Sequence, residues 1–232
     1  MLLIMAGTII ITGANGSLAI PAVQHLLTKY PDYTTVLTVR NILDDDVNTK
    51  KLRETLTKYS KADTSIRKLD LANLSAVHDF ASTIAAEVAD GSLPPLTSIV
   101  CNAYYWNLVG DAETTVDGYE KTFQVTHLAH AALVLRLLGS FGSNGGRVVL
   151  FSTDAHWPGK NSLEKYPPAI PDDLTMLVKP AADKPSDNFG RGFQRYAVSK
   201  LAVVMWMYAL NRYLEKVYIY RRSLMEVYWD HS

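Results

Sequence analysis

Thr8-Ile9-Ile10-Ile11-Thr12-Gly13-Ala14-Asn15-Gly16-Ser17-Leu18-Ala19 is the stretch on which the fold turns. Its first five residues are all β-branched, the pattern of a strand buried on both faces. A helix is expected over residues 17–30. Between the two, Gly13 lets the chain turn sharply. Small residues at a helix start let backbone N–H groups approach a pyrophosphate, whose charge the helix N-terminus favours. An ordinary glycine-rich strand–helix turn has the same local string. Its place as the first such turn of a parallel α/β chain favours a dinucleotide, with Gly13, Asn15, Gly16, Ser17 and Leu18 as candidate contacts.

The same rhythm continues outward. Strands are expected over 35–39, 66–69, 98–102 and 147–152, and helices over 47–59, 74–89, 116–138 and 195–214. In the 74–89 segment Leu74, Val77, Ala81, Ile84 and Val88 fall on one helical face. Unbroken apolar strands alternating with helices imply an α/β, Rossmann-like, doubly wound parallel sheet with helices on both faces. Its crossovers are expected to be right-handed. The rhythm breaks over 154–192, which holds six of the ten prolines. So long a connection is normally functional or disordered. We expect one domain over 1–232, a long active-site insertion at 154–192, and an atypical tail at 217–232 with a short strand over 217–220.

The chain has 232 residues, enough for one large domain or two small ones. Apolar residues make up 48%, which excludes disorder of the whole. Lys and Arg number 23 against 23 Asp and Glu, so no net charge favours nucleic acid or anionic lipid. One cysteine, Cys101, excludes a disulfide framework and a thiolate-rich zinc site, and fits a reducing compartment. It falls in an expected strand and reads as a small apolar residue. No segment reaches the roughly 18 apolar residues of a membrane span, and no basic leader precedes the glycine turn. A cytoplasmic location is expected. His127 and His130 lie three apart on a helix without a third ligand, so they are expected to pack rather than bind metal. His156, just after the fifth strand, is a candidate pocket residue.

A carboxylate after the second strand would bond a ribose 2′-hydroxyl, but this strand ends at Arg40. A guanidinium there suits a 2′-phosphate, so NADP (NADPH) is expected over NAD. A solvated surface arginine is the alternative, and Asp44, Asp45 and Asp46 would repel a phosphate if they folded toward it. Asp70, after the third strand, could accept from an adenine amino group or cap the next helix. Tyr196-Ala197-Val198-Ser199-Lys200 puts a phenol and an ammonium on one helix face. A nearby ammonium stabilises phenolate, which suits the phenol to exchange a proton with a carbonyl or an alcohol.

Together these strings resemble the short-chain dehydrogenase/reductase superfamily, especially its NADP-using branch near retinol dehydrogenases and protochlorophyllide reductases. The resemblance covers about residues 8–213. Residues 12–19 match the family's Thr-Gly-x-x-x-Gly-x-Gly loop, with Ser17 and Ala19 replacing two glycines. Leu69-Asp70-Leu71 matches the adenine-side aspartate, and Asn102-Ala103 the Asn-Ala of the fourth strand, where Cys101 and Tyr104 depart. Residues 117–130 look like the next helix, with Thr126 where the family has a catalytic Asn. Residues 147–153 match the fifth strand, where Thr153, preceded by Ser152, takes the place of the catalytic Ser. Tyr196 and Lys200 match the catalytic pair.

The resemblance implies hydride transfer between NADP and a small or medium lipophilic carbonyl or alcohol. Tyr196 would exchange the proton, Lys200 would lower its pKa and hold the nicotinamide ribose, and Thr153 or Ser152 would bond the substrate oxygen. Thr126 completes the implied catalytic set. Arg40, Asp70, Leu71, Asn102, Ala103, Tyr196 and Lys200 join the glycine turn as implied cofactor contacts. A homodimer or homotetramer through the helices at 116–138 and 195–214 is also implied. Family members continue into a Pro-Gly segment and a seventh strand, so the sheet is expected to lack its last strand or strands. The replaced Asn and Ser leave two alternatives: a catalytically impaired NADP-binding sensor or partner, and a remnant that binds nothing.

Overall fold

A computed structural model describes residues 6–217 and 224–230. β1 (Thr8–Thr12) is buried along its whole length. Its side chains alternate between two cores. Ile10 joins Val36, Ile99 and Val148 on one face of the sheet, and Ile9 and Ile11 join Leu37 and Val39 on the other. The first face packs against α3 (Leu74–Ala89), α5 (Ala129–Leu137) and α7 (Asn188–Val217). The second packs against α1 (Ala19–Lys29) and α2 (Val47–Leu56).

β2 (Thr34–Val39), β3 (Thr64–Lys68), β4 (Leu96–Cys101), β5 (Arg147–Thr153) and β6 (Leu224–Asp230) complete the sheet. The order is β3-β2-β1-β4-β5-β6, with every pair parallel. The order reverses between β1 and β4, the place where open α/β sheets bind ligands.

Several boundaries differ from the sequence expectation. α1 starts at Ala19 rather than 17, because Gly16, Ser17 and Leu18 are spent on the turn. The helix expected over 116–138 begins only at α4 (Lys121–Phe123), where the Glu120 side chain accepts from the N–H groups of Thr122 and Phe123. A π-helical turn, Gln124–Leu128, joins it to α5. Of the strand expected over 217–220, Val217 closes α7 and the rest lies outside the described residues. The sixth strand comes instead from the stretch read as an atypical tail. β6 runs beside β5 from Arg147↔Leu224 to Thr153↔Asp230. Glu226 and Asp230 interrupt its apolar pattern, which hid it from periodicity.

The 154–192 segment carries α6 (Thr175–Val178), and its Ile170, Leu177 and Val178 pack on Phe123, Val198 and Ala202. It covers part of the α4–α7 surface expected to form a dimer.

Gly13 stands in left-handed backbone, φ +61°, and a Cβ there would lie 3.0 Å from the Cβ of Ala103. Two histidines pack in the helical layer, His130 buried and His127 partly buried. His130 Nε2 sits 2.9 Å from Thr12 Oγ1, and its Nδ1 lies 3.2 Å from the Thr126 carbonyl. His127 stacks edge-on against Phe123 and Trp206. Burial pulls both imidazoles down to about 4.

Two outcomes are expected. Gly13→Ala forces a side chain into left-handed backbone, at roughly 1–2 kcal/mol before the Ala103 clash. The melting temperature should fall by at least about 2–4 °C; an unchanged value contradicts the turn geometry. Between pH 6.5 and 4 the unfolded chain takes up protons on His127 and His130 that the native chain refuses. Their stabilisation is complete above about 6.5 and is lost as the pH falls toward 4. Urea midpoints should therefore drop between pH 7 and 5, and His130→Gln should flatten the drop.

Candidate active site

Beyond the C-terminal ends of β1 and β4 lie two adjoining cavities. The first, about 300 Å³, is walled by Gly13, Asn15, Arg40, Asp70, Leu71 and Ala103, among others. The second, about 510 Å³, is walled by Ser17, Leu18, Ser152, Thr153, Tyr196 and Lys200, among others. Gly16, Asn102 and Tyr104 belong to both, so the two form one elongated crevice across the switch point. Every implied cofactor residue lines it. Thr126 does not: it is buried, its hydroxyl donates to the Tyr105 carbonyl (3.3 Å), and it accepts from the Tyr105 N–H (3.2 Å).

At the glycine turn, Asn102 Nδ2 donates to the carbonyls of Thr12 (3.0 Å) and Gly13 (3.1 Å), stapling β4 to the turn. Thr12 Oγ1 accepts from the Ala103 N–H at 3.1 Å. Asn15 leans the other way, donating to Thr49 Oγ1 at 2.9 Å. No side chain caps α1. Ile20 and Ala22 donate to the Gly16 and Leu18 carbonyls and Pro21 has no N–H, so the N–H groups of Ser17, Leu18 and Ala19 are the ones that suit an anion, while the Cβ-free Gly13 lets the turn pass against Ala103 beside them. This end fits a dinucleotide.

Around Arg40 the three aspartates separate. Asp44 pairs with Arg53 (3.2 Å) and Asp45 accepts from Asn41 (3.1 Å). Asp46 alone of the three lines the crevice, capping α2 through the Thr49 N–H, a bond that holds its carboxyl below the usual range. Asp70 accepts from the Ala72 N–H at 2.9 Å, whereas Asn73 caps α3. The capping alternative for Asp70 is thereby corrected: the cap falls three residues later, at the start of the helix proper.

At the other end, α7 carries Tyr196 and Lys200 on the face turned to β5. Lys200 is buried, with Nζ donating to the Phe151 carbonyl at 2.9 Å and lying 5.7 Å from the Tyr196 ring centre. Of the two hydroxyls, Ser152 is buried, donates to the Lys200 carbonyl (3.3 Å) and meets His156 Nδ1 (3.2 Å). Thr153 is only half-buried and donates to Asp154 at 3.1 Å. His156, held below its ordinary range by burial, braces this turn rather than lining the cavity. Cys101 is buried, which pushes its thiol up to about 12 and leaves it inert.

Trp106 and Lys121 are among the lining residues that escaped the sequence reading. Trp106 packs 5.2 Å from the Tyr196 ring, and Lys121 lines the cofactor end while its Nζ donates to Glu113 at 2.7 Å. The aromatic run Tyr104-Tyr105-Trp106 was the available signal for the first. Among the described residues no helix is long and apolar enough to cross a membrane, and no cluster of three His, Cys, Asp or Glu could hold a metal.

No family model matches the chain. A short-chain dehydrogenase, iccH, of Talaromyces variabilis is 28% identical over 239 residues, covering 90% of this chain and 65% of that protein. The WW domain-containing oxidoreductase of Gallus gallus is 33% identical over 213 residues, covering 89% and 45%. Human retinol dehydrogenase 13 is 28% identical over 210 residues, covering 90% and 54%. The chain spans 60–65% of the length of the first three curated relatives it matches. Among solved structures, an uncharacterized protein from Mycobacterium paratuberculosis superposes with a TM-score of 0.67 at 26% identity, covering 96% of this chain and 68% of that one. The NADPH-bound carbonyl reductase of chicken fatty liver, at 17% identity and a TM-score of 0.61, covers 95% and 77% and shares the fold. With its parallel sheet, its glycine turn and its Tyr-x-x-x-Lys helix, the chain belongs to the short-chain dehydrogenase/reductase superfamily.

Proposed function

We propose that the chain is an NADP-dependent oxidoreductase acting on a small or medium lipophilic carbonyl or alcohol. One observation carries the reading: the Tyr196 phenol, the Lys200 ammonium and the Thr153 hydroxyl share one cavity, which joins the glycine turn at the switch point. NADP, when bound, supplies or accepts the hydride. Gly13 and Gly16 shape the turn, the Gly16 N–H donating to the Gly13 carbonyl, and Ser17 and Leu18 would hold its phosphates through backbone N–H groups. Asn102 and Ala103 form the wall behind it. Asp70 and Leu71 bound the adenine end, and Arg40 meets the 2′-phosphate.

At the reacting end Thr153 Oγ1, on turning its proton from Asp154 Oδ1 to the substrate oxygen, stabilises charge developing there. Tyr196 Oη gives that oxygen its proton in reduction and takes it back in oxidation. The Lys200 ammonium favours the phenolate form and is itself held by the Phe151 carbonyl. Ser152 acts behind these groups, fixing the Lys200 backbone. Thr126 is a less direct contributor, since its hydroxyl is engaged with Tyr105. That engagement favours the second reading, a catalytically impaired NADP-binding protein that serves as a sensor or partner. We take residues 1–232 as one domain with 154–192 as its insertion, place it in the cytoplasm because one buried cysteine suits a reducing compartment, and carry forward the homodimer or homotetramer.

Tyr196→Phe should lower kcat for ketone reduction by roughly 10²–10⁴-fold, far more than it weakens NADPH binding. Full turnover in that variant would remove Tyr196 as the proton donor. NADPH binding without reduction of any ketone by the native chain would select the sensor reading. By fluorescence titration NADPH should bind at least about tenfold tighter than NADH, and Arg40→Ala should erase the difference, as expected for a charge-assisted contact. Equal Kd values for the native chain would dismiss the role of Arg40.

A further inference from the structure

We infer that the substrate end of the crevice selects planar aromatic carbonyls and alcohols, and that Trp106 is the residue that selects them. The inference rests on the oxidoreductase reading of the same site.

Trp106 lines the second cavity but not the first, whereas Tyr104 lines both. The indole therefore belongs to the reacting end and Tyr104 to the junction. Although both are large aromatics, they remain 41% and 53% exposed. Their rings meet edge-on at 80°, with centres 6.3 Å apart. Each also leans on the Tyr196 ring, with centres at 5.2 Å for Trp106 and 5.9 Å for Tyr104. Phe193, fully buried, backs Tyr196 at 6.4 Å and fixes the phenol in place. Three rings thus make a corner at the proton-exchanging phenol; Lys200 Nζ stands over the Tyr104 and Tyr196 rings, at 5.5 and 5.7 Å from their centres, and the half-exposed Trp106 indole supplies the apolar surface beside them.

The remaining wall agrees with this. Phe151 and Leu163 line the cavity, and no carboxylate among the described residues does. Its polar groups are hydroxyls, amides and the Lys200 ammonium. Exposed apolar surface of this kind marks a site that a ligand covers. A flat ring gains from offset or edge-on contact with such a corner beyond what its buried area supplies. A puckered saturated ring of the same skeleton gains only the area.

Acetophenone and cyclohexyl methyl ketone make the comparison, since they share a skeleton and differ in the ring. Conjugation makes the aryl ketone the less reactive, so a preference for it has to come from the protein. With saturating NADPH, kcat/KM should favour acetophenone by roughly fivefold, the size of one or two aromatic contacts. Trp106→Leu should bring the ratio close to one through a higher KM for the aryl ketone, and Trp106→Phe should leave it between the two. Equilibrium titration of the NADPH-loaded protein with each ketone reads the same preference without turnover. A native ratio at or below one in both assays overturns the inference, as does a ratio that Trp106→Leu leaves unchanged. Preferential binding of the aryl ketone with no turnover of either would overturn the oxidoreductase reading and leave the aromatic site standing.

Discussion

The contact between the ends of β1 and β4 is the constraint on which the rest depends. Gly13 passes so close to Ala103 that a side chain on it would collide. Asn102 reaches across to the carbonyls of Thr12 and Gly13, and the Thr12 hydroxyl accepts from the Ala103 N–H while touching buried His130. Each of these hydrogen bonds is worth about 1 kcal/mol net. Together they satisfy backbone groups that the chain exposes where it leaves the two strands. The crevice opens beyond this staple because the crossovers from β1 and β4 run to opposite sides of it.

The catalytic end is organised by a buried cation. Removing an ammonium from water is costly unless it is hydrogen-bonded. Lys200 is bound to the last turn of β5 at both ends: its Nζ donates to the Phe151 carbonyl, and its own carbonyl accepts from Ser152. That double tie locks α7 against β5 and sets Tyr196, one turn earlier, at the cavity wall. It also separates the two adjacent hydroxyls. Both line the cavity, but Ser152 is buried and spent on the Lys200 carbonyl, whereas Thr153 is half-buried and donates to Asp154.

The proline-rich segment reaches around to the far side of the same helix. Ile170, Leu177 and Val178 cover Phe123 and Val198, while Asp183 meets Arg195, which also lies 3.7 Å from Glu120. α7 is thus held on one face by the sheet and on the other by the insertion. Its length, Asn188–Val217, exceeds the expected helix because Lys165 and Tyr166 of the insertion close against Gly190, and the Asn107 backbone against Gly192, supporting its first turns where propensity is weak.

The parallel α/β architecture was legible in the sequence, because strands buried on both faces must be apolar throughout and the intervening helices must each present one apolar stripe. The glycine turn and the Tyr196–Lys200 spacing were legible too, since both are local geometry written in adjacent residues. β6 was not, because its strand pattern is broken by Glu226 and Asp230 and pairing with β5 overrides it. Nor was the late start of α4, set by the Glu120 cap. The division of labour between Ser152 and Thr153, the cap at Asn73 rather than Asp70, and the arrival of Trp106 beside Tyr196 were decided by tertiary structure alone. Neighbours along the chain are dictated by sequence. Contacts between residues some 50 to 90 positions apart exist only once the sheet has brought the strand ends together.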